Sequence, residues 1–251
     1  MELYNNGEHV CLAFRDLVTG GEAVQANQFL VFDHHHAALI DPGGELTYTR
    51  LFMAISEYMS VKNLDYVIAS HQDPDIVASL NKWLIGTDAK VVVPQLWERF
   101  IPHFTRPGKI SGRTIAMPDE GMNLDLGSIK LKALPAHFLH AEGNFQFYDP
   151  VSKILFSGDM GANLCPEADL NKPVDKLAEI MPYMDGFHKR YLNSNKVCRF
   201  WVNMVRQLEI SMIVPQHGRA IRGKAIGEFL KYIENLQCGI DLFTQDNYRV
   251  P

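Results

Sequence analysis

The sequence predicts an α/β fold built as a four-layer αββα sandwich, two sheets packed face to face with helices outside. Three observations predict it. Short apolar strands lead the chain and alternate with helical stretches, and four strands run directly into a ligand-type residue. With 47% hydrophobic and 21% charged residues over 251 positions, the chain can also bury a large core. No repeat, low-complexity tract or linker rich in Pro, Gly or Ser interrupts it, so residues 1–251 read as one domain.

The elements follow in order. NQFLVFD (27–33) and AALIDPG (37–43) are apolar strands joined by His34, His35 and His36, read as a polar turn, and the Pro-Gly-Gly that follows stops the second. A helix is expected over 46–60. DYVIAS (65–70) runs into His71, IKLKALP (129–135) into the His-rich AHFLH, KILFS (153–157) into Gly158 and Asp159, and SMIVP (211–215) into Gln216 and His217. Helical stretches fill the gaps at IVASLNKWLI (76–85), PQLWERFIPHF (94–104), about 187–208, and GKAIGEFLKYIENLQ (223–237). In sheets covered by helices, sites collect where strand ends deliver side chains into a common crevice.

Composition excludes several classes. A net charge of -5 and a pI near 6.0 give no basic surface for nucleic acid. The N-terminal MELYNNGEHVCLAF carries two Glu and no Lys or Arg ahead of its apolar run, so neither a secretory signal nor a transit peptide is expected, and no stretch is long enough for a membrane span. The protein is expected to be soluble and cytoplasmic. Cys11, Cys165, Cys198 and Cys238 are scattered without a C-x-x-C pair, which suits buried free thiols.

The chemistry centres on ASHQDPDIVA (69–78), where His71, Asp73 and Asp75 follow a strand end. Asp73 has an alternative role as N-cap of the helix that Pro74 begins. His140, Asp159 and His217, each after a strand of its own, favour a metal site. His9 and His103 have no ligand-like neighbours and read as surface or partly buried; His188, in a charged helical stretch, reads as structural. His137 either faces the site as a hydrogen-bond donor or proton source, or is satisfied beneath its loop. Tyr191 and His188 are weaker candidates for the same role.

Across these residues the chain resembles the metallo-β-lactamase superfamily, whose first motif is H-x-H-x-D-H, and more closely its flavodiiron branch, where the second His is a carboxylate. Here His71, Asp73, Asp75 and Ile76 span the motif. PAHFLHAEGNFQFYDP places His140 at the next ligand, ILFSGDMG places Asp159 at the bridging carboxylate, and VPQHGRAIRG places His217 at the last. The likeness covers roughly residues 25–240, including FHKRYLNSNK, and is nearest to stand-alone oxygen-binding diiron proteins that have the AHFLH-x-x-GN element and no flavodoxin domain. It implies a metallo-β-lactamase-like domain holding two metals, with His71, Asp73 and His140 on the first, Asp75 and His217 on the second, and Asp159 between them. Asp73 departs from the Glu usual in flavodiiron proteins. Ile76 cannot coordinate, which leaves an open position at the second metal where dioxygen or nitric oxide would bind.

Three carboxylates offset most of the charge of two divalent ions, and mixed imidazole and carboxylate shells with open positions suit non-haem iron. Two irons are therefore expected, with zinc or manganese as alternatives, and no flavin is expected in this chain. The implied function is an oxygen sensor, or an oxygen-reducing component served by a separate redox or signalling protein. A homodimer is implied by resemblance alone. The rival reading is a dinuclear hydrolase of esters, lactones or phosphodiesters in which Asp75 helps hold the nucleophile. Asp75 and His137 are the candidate catalytic residues.

Overall fold

A computed structural model describes residues 1–19, 21, 23–166 and 169–251. Among these residues the first sheet has seven strands in chain order: β1 (Glu2–Asn5), β2 (His9–Phe14), β3 (Gln28–Asp33), β4 (His36–Ile40), β5 (Leu64–Ile68), β6 (Lys90–Pro94) and β7 (Thr114–Met117). The second holds β8 (Met122–Leu126), β9 (Ile129–Pro135), β10 (Phe145–Asp149), β11 (Ile154–Phe156), β12 (Met212–Val214) and β13 (Ile221–Arg222), in the spatial order β13-β12-β11-β10-β9-β8. Strands β4 to β7 pair in parallel, as do β11 and β12, and such pairs need crossovers, which helices supply. Helices α1 (Tyr48–Ser56), α2 (Pro74–Val77), α3 (Leu80–Gly86) and α4 (Gln95–Glu98) connect the first sheet; α5 (Met181–Tyr191), α6 (Asn195–Val205) and α7 (Lys224–Asn235) serve the second. No described helix is long and apolar enough to cross a membrane.

The period of two in each strand sorts side chains into layers. In β3, Phe29 and Val31 join Phe145, Phe147, Ile154 and Phe156 between the sheets, while Leu30 packs outward with Leu51, Ile55 and Trp83 of the helices. On the second sheet Tyr148, Leu155 and Ile213 face α5 to α7, against Met184, Trp201 and Phe229. Both faces of each sheet are covered, which is why its strands read as continuous apolar runs. The expected four-layer sandwich is this arrangement.

Several expected elements differ in detail. The helix placed at 76–85 is two, α2 and α3, because Ser79 turns its hydroxyl onto the carbonyls of Pro42 and Gly43 at the break. The stretch 187–208 also divides: α5 ends at Tyr191, Leu192 is extended, and α6 restarts at Asn195. The first helix spans Tyr48–Ser56 instead of 46–60, and 94–104 keeps only α4 and a short 3-10 turn after the end of β6.

His9 is a correction. It is 2% exposed, its Nδ1 lies 3.1 Å from Asp33 and its Nε2 2.7 Å from Asp149, so it bridges both sheets. Its partners come from β3 and from the end of β10, far away in the sequence. Burial alone would lower the imidazole pKa, but the hydrogen bonds and charges of Asp149 and Asp33 raise it. Removing this cation leaves two buried carboxylates uncompensated. His9→Ala is expected to cost roughly 3–5 kcal/mol in urea denaturation, and a loss below about 1 kcal/mol would show that the triad carries no charge.

Candidate metal centre

The ends of β5, β9, β11 and β12 meet at one edge of the sandwich, where main-chain bonds tie the sheets together. Phe145 N–H donates to Ser70 O at 2.9 Å, and Asn27 N–H donates to Gln216 O at 2.5 Å. After β5 the chain delivers His71, whose Nδ1 is bonded to Ser70 Oγ at 2.9 Å, so Nε2 faces the crevice. Ser70 N–H in turn donates to the buried carboxylate of Asp41, which burial pushes up to about 6. Asp73 stands at the N-cap position of α2 with extended backbone, yet its side chain makes no cap hydrogen bond. Oδ2 instead lies 3.7 Å from His71 Nε2 and 3.4 Å from His140 Nε2.

Asp159 divides its carboxylate between two groups. Oδ2 lies 2.7 Å from His140 Nε2 and 3.6 Å from His71 Nε2, while Oδ1 lies 3.5 Å from His217 Nε2. His217 Nε2 is also 3.3 Å from Asp75 Oδ2, and His217 Nδ1 donates to Gln25 O at 2.7 Å. The Asp159 and His217 loops are stitched by Asn163, which approaches so closely that a Cβ at Gly218 (φ +84) would meet its carbonyl oxygen at 1.8 Å. All six residues expected as ligands are thereby brought together, and His71, Asp73, His140 and Asp159 place ligand atoms within 4.8 Å of one another.

Apart from His140 Nε2 and Asp159 Oδ2, which meet directly at 2.7 Å, the spacing fits ions between these groups. Separations of 3.3 to 3.7 Å are too long for good hydrogen bonds. Two ligands each about 2.1 Å from one ion at a tetrahedral angle sit about 3.4 Å apart. Moreover, His71 Nε2 and Asp159 Oδ1 are buried without a hydrogen-bond partner, which is costly for groups with no further role.

His137 is not brought to this cluster. Its Nε2 donates to Asp119 O at 2.8 Å, its ring meets Phe145 edge-on, and it borders a separate cavity with Val197, Phe200 and Trp201. Ile76 is fully buried in the core beneath the first sheet, so its side chain does not form an apolar wall of the site. His188 is buried too: Nδ1 donates to Met184 O, Nε2 accepts from Gly161 N–H, and burial lowers it to about 4, which makes it a neutral structural brace.

Gln216, Ser70 and Phe187 went unassigned in the sequence, and Tyr191, a weaker candidate there, lies beside them at the site. Gln216 donates to Asp75 Oδ2 at 3.1 Å, Ser70 fixes His71, and Phe187 with Tyr191 forms an aromatic stack 4.7 Å apart whose edges meet His140. Adjacency to His71 and His217 was the available signal for Ser70 and Gln216. These aromatics, Val24, Leu164 and Arg190 line a cavity of about 710 Å³ that Asp73, Asp75, His140, Asp159 and His217 also border.

Burial would lower the three imidazoles, but the facing carboxylates overcome it. Asp159 and Asp73 hold His71 up to about 10 and His140 up to about 9, and Asp75 and Asp159 hold His217 up to about 9. Burial would raise Asp73 and Asp159, yet the imidazoles hold both well below the usual carboxylate range. Protons and metal ions therefore compete for one carboxylate cluster. An unfolded His titrates near about 6.5, so the imidazolium contribution to stability is complete below that pH and is lost as pH rises through about 9 to 10. In chelator, the thermal midpoint followed by circular dichroism is expected to fall over this window, and saturating divalent metal is expected to abolish the fall. A chelated chain whose midpoint is flat from pH 6.5 to 10 would uncouple the histidines from folding.

Residues 24–218 match the model of the family described as ODP family beta lactamase. The chain is 37% identical to the chemotaxis sensor ODP in a peroxy diiron form, over 98% of each chain with a TM-score of 0.87. It is 36% identical to the apo state of the chemotaxis sensor ODP from T. denticola, over 98% of this chain and 97% of that one, with a TM-score of 0.84. The flavodiiron protein from Giardia intestinalis shares 18% identity and the fold, with 93% of this chain and 58% of that one covered at a TM-score of 0.76. The chain spans about half or less of the length of the curated relatives it matches.

Proposed function

The chain belongs to the ODP family of beta-lactamase-type proteins, and from that premise we propose that it is a non-haem diiron protein that binds dioxygen or nitric oxide. The first iron would be held by His71, Asp73 and His140, the second by Asp75 and His217, with Asp159 between them. A sensor role follows the chemotaxis sensor to which the chain is 37% identical; reduction of the gas would draw electrons from a separate redox protein. Residues 1–251 would act as one such domain.

The observation that carries this reading is the orientation of Asp73. Its carboxylate leaves the helix end uncapped and faces His71 and His140, where a third imidazole would favour a zinc hydrolase. When bound, a ferrous pair supplies electrons and open coordination positions to a diatomic gas. The chain's own residues do the rest. Ser70 sets the ring of His71, Gln216 sets the carboxylate of Asp75, and the Phe187–Tyr191 stack gives an uncharged diatomic molecule an apolar approach. Asp75, with Ile76 turned into the core, leaves the His217 half with fewer protein groups than the His71 half.

Anaerobic isolation without added metal is expected to yield about two irons per chain, with a visible band that changes on exposure to air. Zinc alone, together with ester or phosphodiester turnover, would instead establish the hydrolase. Asp73→Ala is expected to lower the content to about one iron per chain; an unaltered stoichiometry would take Asp73 out of the ligand set.

A further inference from the structure

Cys198 on α6 and Cys238, just beyond α7, are both fully buried, and their sulfurs lie 3.8 Å apart in direct contact. The other two cysteines are elsewhere: the Cys11 thiol donates to Asp149, and Cys165 lies in the loop after Asp159. The Cys238 segment is also pressed against the chain that leaves α5. A Cβ on Gly239 would meet the carbonyl oxygens of Leu192 and Asn193 at 2.2 Å. Ile240 N–H donates to Asn193 O at 2.8 Å, Asn193 N–H donates to Phe138 O at 3.2 Å, and Phe138 N–H donates to Ala141 O at 2.7 Å. This ladder ends on the turn that carries His140.

We propose that Cys198 and Cys238 are a second redox site, a dithiol that peroxide closes to a disulfide, connected by backbone hydrogen bonds to the His140 turn. The Cys238 sulfur also accepts from Asp241 N–H at the start of the terminal 3-10 turn, and the hydrogen bond from Cys198 lowers Cys238, so Cys238 is the nucleophile. Gln237 and Ile240 beside it are exposed, and a molecule as small as peroxide reaches Cys238 by local opening of this terminal segment. The Cys238 thiolate attacks one oxygen of hydrogen peroxide; the O–O bond breaks, a sulfenic acid forms, and hydroxide leaves and takes up a proton as water. Cys198 then attacks the Cys238 sulfur, the S–S bond forms, the S–O bond breaks, and a second water leaves with the Cys198 proton. Two thiols lose two electrons and two protons, and one peroxide becomes two waters. Bond formation draws Cys238 toward α6, and the ladder through Asn193 carries that displacement to Phe138.

Stoichiometric hydrogen peroxide, added to the full chain as isolated, tests this directly. Alkylation after denaturation is expected to label two of the four cysteines, and a peptide map is expected to join Cys198 to Cys238. Cys11→Ser should still form the link. Cys198→Ser should instead leave Cys238 as a sulfenic acid that dimedone traps; if that variant does not fold, the wild-type map decides alone. Amide exchange at Asn193 and Phe138 is expected to differ about tenfold between the dithiol and disulfide forms. Four alkylated thiols after peroxide, or a link between other cysteines, would overturn the redox site, and unchanged exchange would overturn its connection to His140. Protein loaded with redox-inert zinc is treated in parallel, and its map decides wherever iron competes with the thiols for the peroxide.

Discussion

A single buried carboxylate organises this molecule. Asp159 is 3% exposed, and its two oxygens face different histidines, so its single charge is met from both sides of the crevice. A carboxylate so buried is tolerated only when paired. The strand ends that supply its partners must therefore converge, and the fold is the scaffold that makes them do so: β11 delivers Asp159 itself, while β5, β9 and β12 deliver His71, His140 and His217 around it. Imidazolium ions and metal ions are alternative ways of meeting the same electrostatic demand, which ties proton binding, metal binding and folding together.

Much of this was legible in the sequence because strand-to-ligand junctions are local. DYVIAS-His71 and KILFSG-Asp159 each show an apolar run and its polar terminus within a few residues, and the αββα arrangement follows from the order of such runs. What escaped depends on contacts between distant segments. His9 looked isolated because Asp33 and Asp149 lie 24 and 140 residues away. The 76–85 helix looked continuous because its interruption at Ser79 is imposed by the Pro42 and Gly43 carbonyls, which no periodicity reports. His137 and His140 share one short His-rich motif, yet the turn sends the first to Asp119 and the second to Asp159.

Ile76 illustrates the difference between a position in a motif and a direction in space. Sequence alignment with H-x-H-x-D-H correctly marks it as unable to coordinate, but the first turn of α2 rotates its side chain into the core with Leu51 and Trp83. The crevice is thus shaped by other groups. Gln216, from the opposite sheet, reaches Asp75, and the α5 aromatics lie over His140.

The six ligand-type residues divide evenly between the two halves of the sandwich: His71, Asp73 and Asp75 follow β5, whereas His140, Asp159 and His217 follow strands of the second sheet. The gap across which they meet is set by hydrocarbon, chiefly Phe29 against Phe156 with ring centroids 5.0 Å apart, and Phe145 and Phe147 beside them. The aromatic filling therefore acts as a caliper for the spacing of these six side chains. A phenylalanine far from the crevice thus helps to set how far apart the two sets of side chains stand.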